Sequence, residues 1–130
     1  MFFQIVGIAF AGAIGTVVRY GVTRFAVAMF GVGFPVGTLV INLSGAFLFG
    51  VITGLVANGW IHESWRAILL TGLLGGFTTF SAFAYENQQL LANQKYLYLT
   101  INLLGQNLFA ILAIILGLHL ADFLWGISKN

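Results

Sequence analysis

An all-α membrane protein with four transmembrane helices, the third broken near its middle, is the fold this sequence predicts, and three observations carry the prediction. Of the 130 residues 60% are hydrophobic and 6% charged, with a mean hydropathy of +1.02. That leaves too little polar surface to cover a water-soluble globule of this size. A span takes about 20 apolar residues, so the chain has room for about four spans with their loops, and residues 1–130 form a single membrane domain. The third observation is one apolar segment, Thr71-Gly72-Leu73-Leu74-Gly75-Gly76-Phe77-Thr78-Thr79-Phe80-Ser81-Ala82-Phe83, whose glycine pair and threonine pair an uninterrupted helix does not need. Glycines lower helix propensity and threonines are stiff at the β-carbon, so the segment predicts a local break. Backbone groups freed at membrane depth must find partners in the protein or in a wet cavity, and such breaks mark ion or substrate sites.

The spans follow in order. Residues 3–28 form the first. Ala11-Gly12-Ala13 looks like a signal-peptide cleavage site, but no basic region precedes it and the apolar run continues to Val18, so Met1–Ala13 is expected to belong to the span. Gly31-Val32-Gly33-Phe34 leads to the only proline, Pro35, which suits the first turn of a second span over 35–57. Asn58-Gly59 is a turn dipeptide, and the third span covers 63–91 with its break near Gly75. Asn93-Gln94-Lys95 makes a polar corner before the fourth span, 96–125. Trp60, Trp65, Tyr85, Tyr96, Tyr98 and Trp125 fall near span ends, as an aromatic belt requires.

Four spans place Arg66 and Lys129 on one side of the membrane and Arg19, Arg24 and Lys95 on the other. Lysine and arginine asymmetry normally fixes orientation, so this near tie specifies insertion weakly and allows both topologies. Dual topology in turn allows two copies to pair antiparallel, building by assembly the inverted symmetry that many transporters achieve by internal duplication. Small residues spaced by four, Gly7-Ala11-Gly15 and Ala46-Gly50-Gly54, offer close-approach faces either for such a dimer or for packing inside one subunit. The few bases form no run suited to a phosphate backbone, which excludes nucleic acid as a partner.

The polar residues inside the spans are the candidates for function. Thr38 and Asn42 share a helix face. Asn42 has two readings: hydrogen-bond glue between helices, or a donor to an anion whose hydration must be replaced along its path. Phe80 and Phe83, three apart beside the break and next to Ser81, have two readings: core or lipid-facing rings, the default for any one of thirteen phenylalanines, or a pair whose positive ring edges attract a small anion without trapping it as a buried lysine would. Glu86, three residues further on, is either a solvated charge at a helix end or an acid at a water-facing mouth of the path. Arg19 either snorkels to the interface or draws anions toward the pore. In the fourth span Asn102 and Gln106 share a face, with Asn107 beside them, and both packing and pore lining remain open for them. There is no cysteine, and no hydrolase elbow, phosphate loop or metal-ligand cluster, so no enzyme is expected.

Three motifs taken together, Gly12-x-x-Gly15-x-x-x-Arg19-Tyr20, Gly37-Thr38-Leu39-x-x-Asn42-x-x-Gly45 and Thr71-Gly72-x-x-Gly75-Gly76-x-Thr78-Thr79-Phe80-Ser81-x-Phe83, resemble the Fluc (CrcB-type) family of fluoride channels. The resemblance implies an antiparallel dual-topology homodimer with two pores in the inner (cytoplasmic) membrane, through which toxic cytoplasmic fluoride leaves passively. It implies that Phe80 and Phe83 are the ring pair, Asn42 the pore asparagine and Glu86 the vestibular acid. It also implies a structural sodium ion at the dimer centre, held by backbone carbonyls at the positions that match Gly75 and Thr78. The chain departs from the pattern at Ala82, where the family often has threonine, and at Ala110, where it commonly carries a hydroxyl. Asn102, Gln106 or Asn107 then stand in for the lining of the fourth span. Two competing readings are an antiparallel exporter of toxic cations and a non-conducting half of a heterodimeric channel. The exporter needs an intramembrane acid, and spans one and two contain no Asp or Glu.

Overall fold

The computed structural model describes residues 1–129, and four helices in it are long and apolar enough to cross a membrane. Helix α1 covers Phe2–Phe30 and α2 covers Val36–Ala57. The third span, Glu63–Ala92, is composite: a 3₁₀ turn at Glu63–Trp65, a π-helical stretch at Ala67–Leu74, a short helix α3 at Gly75–Phe77, and helix α4 at Phe80–Ala92. Helix α5 runs from Tyr96 to Ser128. No strand occurs among the described residues. The chain is a multi-pass membrane protein, as its composition predicted.

The turns have local causes. Gly31 and Gly59 adopt φ of 72° and 79°, conformations that favour glycine. Pro35 caps α2 from outside its first turn. Aromatic pairs close the two ends of the bundle: Phe34 meets Tyr98 edge to face at 5.8 Å, and Trp60 meets Trp125 at 6.3 Å. At the Trp60 end Asn58 donates to Asp122 at 2.9 Å, which ties the end of α5 to the neighbouring turn.

The third span differs from the sequence expectation in two ways. Gly75 and Gly76 are helical, and the extended residues are Thr78 (φ −76°, ψ 159°) and Thr79 (φ −151°, ψ 118°), so the break lies just beyond the glycine pair. The threonines, with branched β-carbons, take the extended conformation they prefer. Gly76 serves close approach instead: a Cβ there would strike the Gly12 carbonyl, and across the same contact one on Gly15 would strike the backbone of Leu73 and Phe77. The π-helical stretch was not foreseen. Its Gly72 lies directly against the Ile8 backbone of α1.

Both small-residue stripes are taken up inside the subunit. Gly7 faces Ile68, Ala11 faces Gly72, and Gly15 faces Leu73 and Phe77, so the first stripe seats the third span on α1. Gly50 meets the Ile114 carbonyl and Gly54 meets Ala121, so the second seats α5 on α2. These contacts lie within one chain, where small residues permit backbone-to-backbone approach.

Candidate functional site

The break fixes the site. In a continuous helix the Thr79 N–H would bond to the Gly75 carbonyl; here it donates to Asn42 Oδ1 at 2.9 Å, while Asn42 Nδ2 donates to the Thr79 carbonyl at 3.1 Å. A single side-chain amide from α2 therefore replaces the partner that the Thr79 N–H loses at the break and adds a second bond to the Thr79 carbonyl, which also opens helix α4. The new helix start is capped locally, since the Thr79 hydroxyl accepts from the Ala82 N–H at 3.2 Å.

From Asn42 a line of amides crosses the bundle. Asn42 Nδ2 donates to Gln106 Oε1 at 2.8 Å, Gln106 Nε2 to Asn102 Oδ1 at 2.9 Å, Asn102 Nδ2 to Asn87 Oδ1 at 3.0 Å, and Asn87 Nδ2 to the Phe83 carbonyl at 2.8 Å. Asn87, Asn102 and Gln106 are all buried. The line leaves the third span at Thr79 and rejoins it at Phe83. Between these anchors lies the turn that carries both rings, whose centroids are 5.6 Å apart at 45°. Phe83 is buried and Phe80 is 77% exposed.

The sequence-predicted residues fall into two cavities on either side of this turn. A cavity of about 470 Å³ is lined by Asn42, Gly75, Thr78, Phe80, Phe83 and Asn107, together with Thr79, Gln106 and Ala110. A second, of about 520 Å³, is lined by Arg19, Thr38, Ser81 and Glu86, again with Thr79. Thr38 and Asn42, expected on one helix face, serve different cavities: Thr38 donates to Glu86 and Asn42 holds Thr79. Ser81 stands apart from the ring-lined cavity, and its hydroxyl lies 3.2 Å from that of Thr79.

The Arg19 guanidinium turns inward and donates to the Thr78 carbonyl at 3.3 Å. The Gly75 carbonyl has lost its helical N–H, and the Thr78 carbonyl keeps a lone pair beyond the one Arg19 uses. Two oxygens of this kind suit a hard cation such as sodium, so the residues present fit the ion that the resemblance implies. Among the described residues no cluster of three His, Cys, Asp or Glu side chains offers another metal site.

Sequence reasoning missed Thr79 as the clamped residue and Asn87 as a partner. The signal for Asn87 was weak: its place next to Glu86 in the polar half of α4 gives it no distinction until α5 is packed alongside.

A four-helix membrane protein with a clamped break in its third span and two cavities meeting at that break belongs to the class of small ion-conducting membrane proteins in architecture. The family model described as CrcB-like protein, Camphor Resistance (CrcB), matches residues 6–118, and the chain belongs to that family. Similar proteins include the fluoride-specific ion channel FluC 1 of Methanosarcina acetivorans, 42% identical over 97% of this chain and 99% of the relative. The fluoride-specific ion channels FluC of Shewanella amazonensis (40% identical over 87% of this chain and 91% of the relative) and of Vibrio cholerae (37% over 92% and 96%) are likewise similar.

Proposed function

We propose that this chain is a passive, fluoride-selective channel of the inner membrane that lets cytoplasmic fluoride escape, working as an antiparallel homodimer with two pores. The observation that carries the reading is the junction at Thr79, where a cavity holding Arg19, Thr38, Ser81 and Glu86 meets one holding Phe80 and Phe83. The names of the relatives supply the ion, and the near-balanced basic residues support dual topology.

In this reading the Arg19 cavity is the mouth, where a guanidinium and hydroxyl donors draw an anion out of water. The Thr79 and Ser81 hydroxyls offer donors at the crossing, and the ring edges of Phe80 and Phe83 line the dry stretch with weak attraction that permits release. Gly75 and Thr78 would hold a structural sodium ion at the dimer centre through their carbonyl oxygens; when bound it supplies a fixed positive charge that keeps two breaks together. Asn42 keeps the break in shape.

The test is ion-specific efflux. Purified protein in liposomes is expected to release fluoride without any imposed proton or sodium gradient while retaining chloride. Equal release of both anions rejects selectivity, and release that requires a proton gradient rejects a passive channel.

A further inference from the structure

A cavity at the start of the third span takes no part in the break. It holds about 520 Å³, a size usual for small-molecule sites, and lies between the first turn of α1, the C-terminal half of α2 and the opening of the third span. Its mouth carries Glu63 and Arg66, and the half-exposed Trp60 and Trp65 at the same end of the bundle mark the level of the membrane–water interface. Its floor is apolar, made by Phe49 and by Leu70, which lies roughly two turns further along the span than Glu63. Charge at headgroup level over an apolar floor is the profile of a phospholipid.

The mouth pairs one cation with one anion. Arg66 Nη1 donates to Glu63 Oε1 at 3.2 Å, but the two side chains are 53% and 66% exposed, so the pair is weak and gives way to better partners. Its charges match a headgroup that carries a phosphate and a primary ammonium: the guanidinium fork takes the phosphate, and the carboxylate accepts from the ammonium. A purely anionic headgroup offers Glu63 nothing and is repelled by it, and a quaternary ammonium has no N–H to donate.

Two polar side chains of the same cavity stand idle. Thr16, Thr23, Ser44 and Thr78 turn their hydroxyls onto the carbonyl four residues earlier, which satisfies a hydroxyl inside a span. Thr71, in the π-helical stretch, makes no such bond, and the Gln4 side chain has no partner either among the described residues. A donor facing hydrocarbon needs an acceptor from protein or lipid, and the ester carbonyls of a phospholipid lie just below its phosphate. Thr71 opens the third-span motif yet has no part in the clamped break.

We propose that this cavity binds one ethanolamine phospholipid, with Arg66 on the phosphate, Glu63 on the ammonium, Thr71 and Gln4 on the ester carbonyls, and the start of an acyl chain on Phe49 and Leu70. The site is built from one chain and does not depend on which ion is conducted.

Native mass spectrometry of the full chain, released from micelles supplied with equal amounts of phosphatidylethanolamine, phosphatidylcholine and phosphatidylglycerol of one chain length, reads the occupancy. Wild-type protein retains the ethanolamine lipid about fivefold over either of the others, the discrimination that one exposed ion pair allows. Glu63→Gln abolishes that preference, Arg66→Gln lowers retention of all three lipids, and Arg24→Gln, exposed on α1, changes neither. Thr71→Val lowers retention of the ester-linked ethanolamine lipid about threefold and leaves that of its ether-linked analogue unchanged. A wild-type ratio near one, or a preference for the glycerol headgroup, overturns the proposal. Ratios unmoved by Glu63→Gln and Arg66→Gln assign the retained lipid to the apolar belt alone and overturn it as well. Protein dimers that retain no ethanolamine lipid place a second copy over the cavity, which also rejects the site.

Discussion

Removing the Asn42 amide is the sharpest test of how the break is held. Asn42→Ala deletes three hydrogen bonds of 2.8–3.1 Å and leaves two groups without partners, the Thr79 N–H and Gln106 Oε1, while the Thr79 carbonyl keeps the first bond of helix α4. Interhelical hydrogen bonds in membranes contribute about 0.6 kcal/mol on average, whereas a buried polar group left unpaired costs about 1–3 kcal/mol. Taking about 1 kcal/mol for each orphaned group, the clamped break loses about 2 kcal/mol, a shift of about thirtyfold in its equilibrium with unclamped forms. Asn42→Asp keeps the oxygen for the Thr79 N–H but sets a second oxygen against the Thr79 carbonyl and Gln106 Oε1, so it is expected to cost at least as much. Unfolding in mixed detergent micelles reads stability, and fluoride efflux from liposomes reads the working break. An Asn42→Ala protein within about 0.5 kcal/mol of wild type that also conducts normally would falsify the clamp.

Other substitutions separate the remaining roles. Gly15→Val puts a branched side chain into the backbone of Leu73 and Phe77 and is expected to destabilise by about 1–3 kcal/mol or prevent folding, while Gly21→Ala, in open space, leaves the unfolding midpoint unchanged; equal effects at both positions refute the close approach. Phe83→Ala is expected to lower stability through lost packing and Phe80→Ala to spare it, since one ring is buried and the other exposed, while both slow fluoride efflux; a normal rate in both variants leaves the rings without a role in conduction. Arg19→Gln removes the charge at the Thr78 carbonyl and is expected to reduce efflux severalfold more than Arg24→Gln, whose side chain is exposed; matched effects would mean that only general surface charge matters.

Much of this architecture was legible in the residues because membrane burial writes long, simple signals. Spans, turns at Gly31 and Gly59, and the presence of a break in the third span all follow from hydropathy and local backbone preference. The ten candidate site residues do gather around that break. What could not be read was partnership. Helical spacing put Thr38 and Asn42 on one face, but only the phase of α4 decides that one meets Glu86 and the other Thr79. The π-helical stretch at Ala67–Leu74 is equally hidden, since no residue in Ala-Ile-Leu-Leu-Thr-Gly-Leu-Leu demands it and the packing against α1 supplies the setting. The glycine pair misled in position for a related reason: it permits contact with Gly12, and the bend falls on residues that prefer extension.

The amide line has a further consequence for how this protein can change. Because it begins and ends on the same span, Thr79 to Phe83, it is a closed loop in which every side chain is both lender and borrower. Replacing any one of Asn42, Gln106, Asn102 or Asn87 strands its neighbour, whereas replacing several at once with a self-consistent set strands none. Residues drawn from α2, α4 and α5 are thereby bound to a common inheritance. A graft of α5 alone into a related channel is expected to fail where a graft that carries Asn87 along with it succeeds.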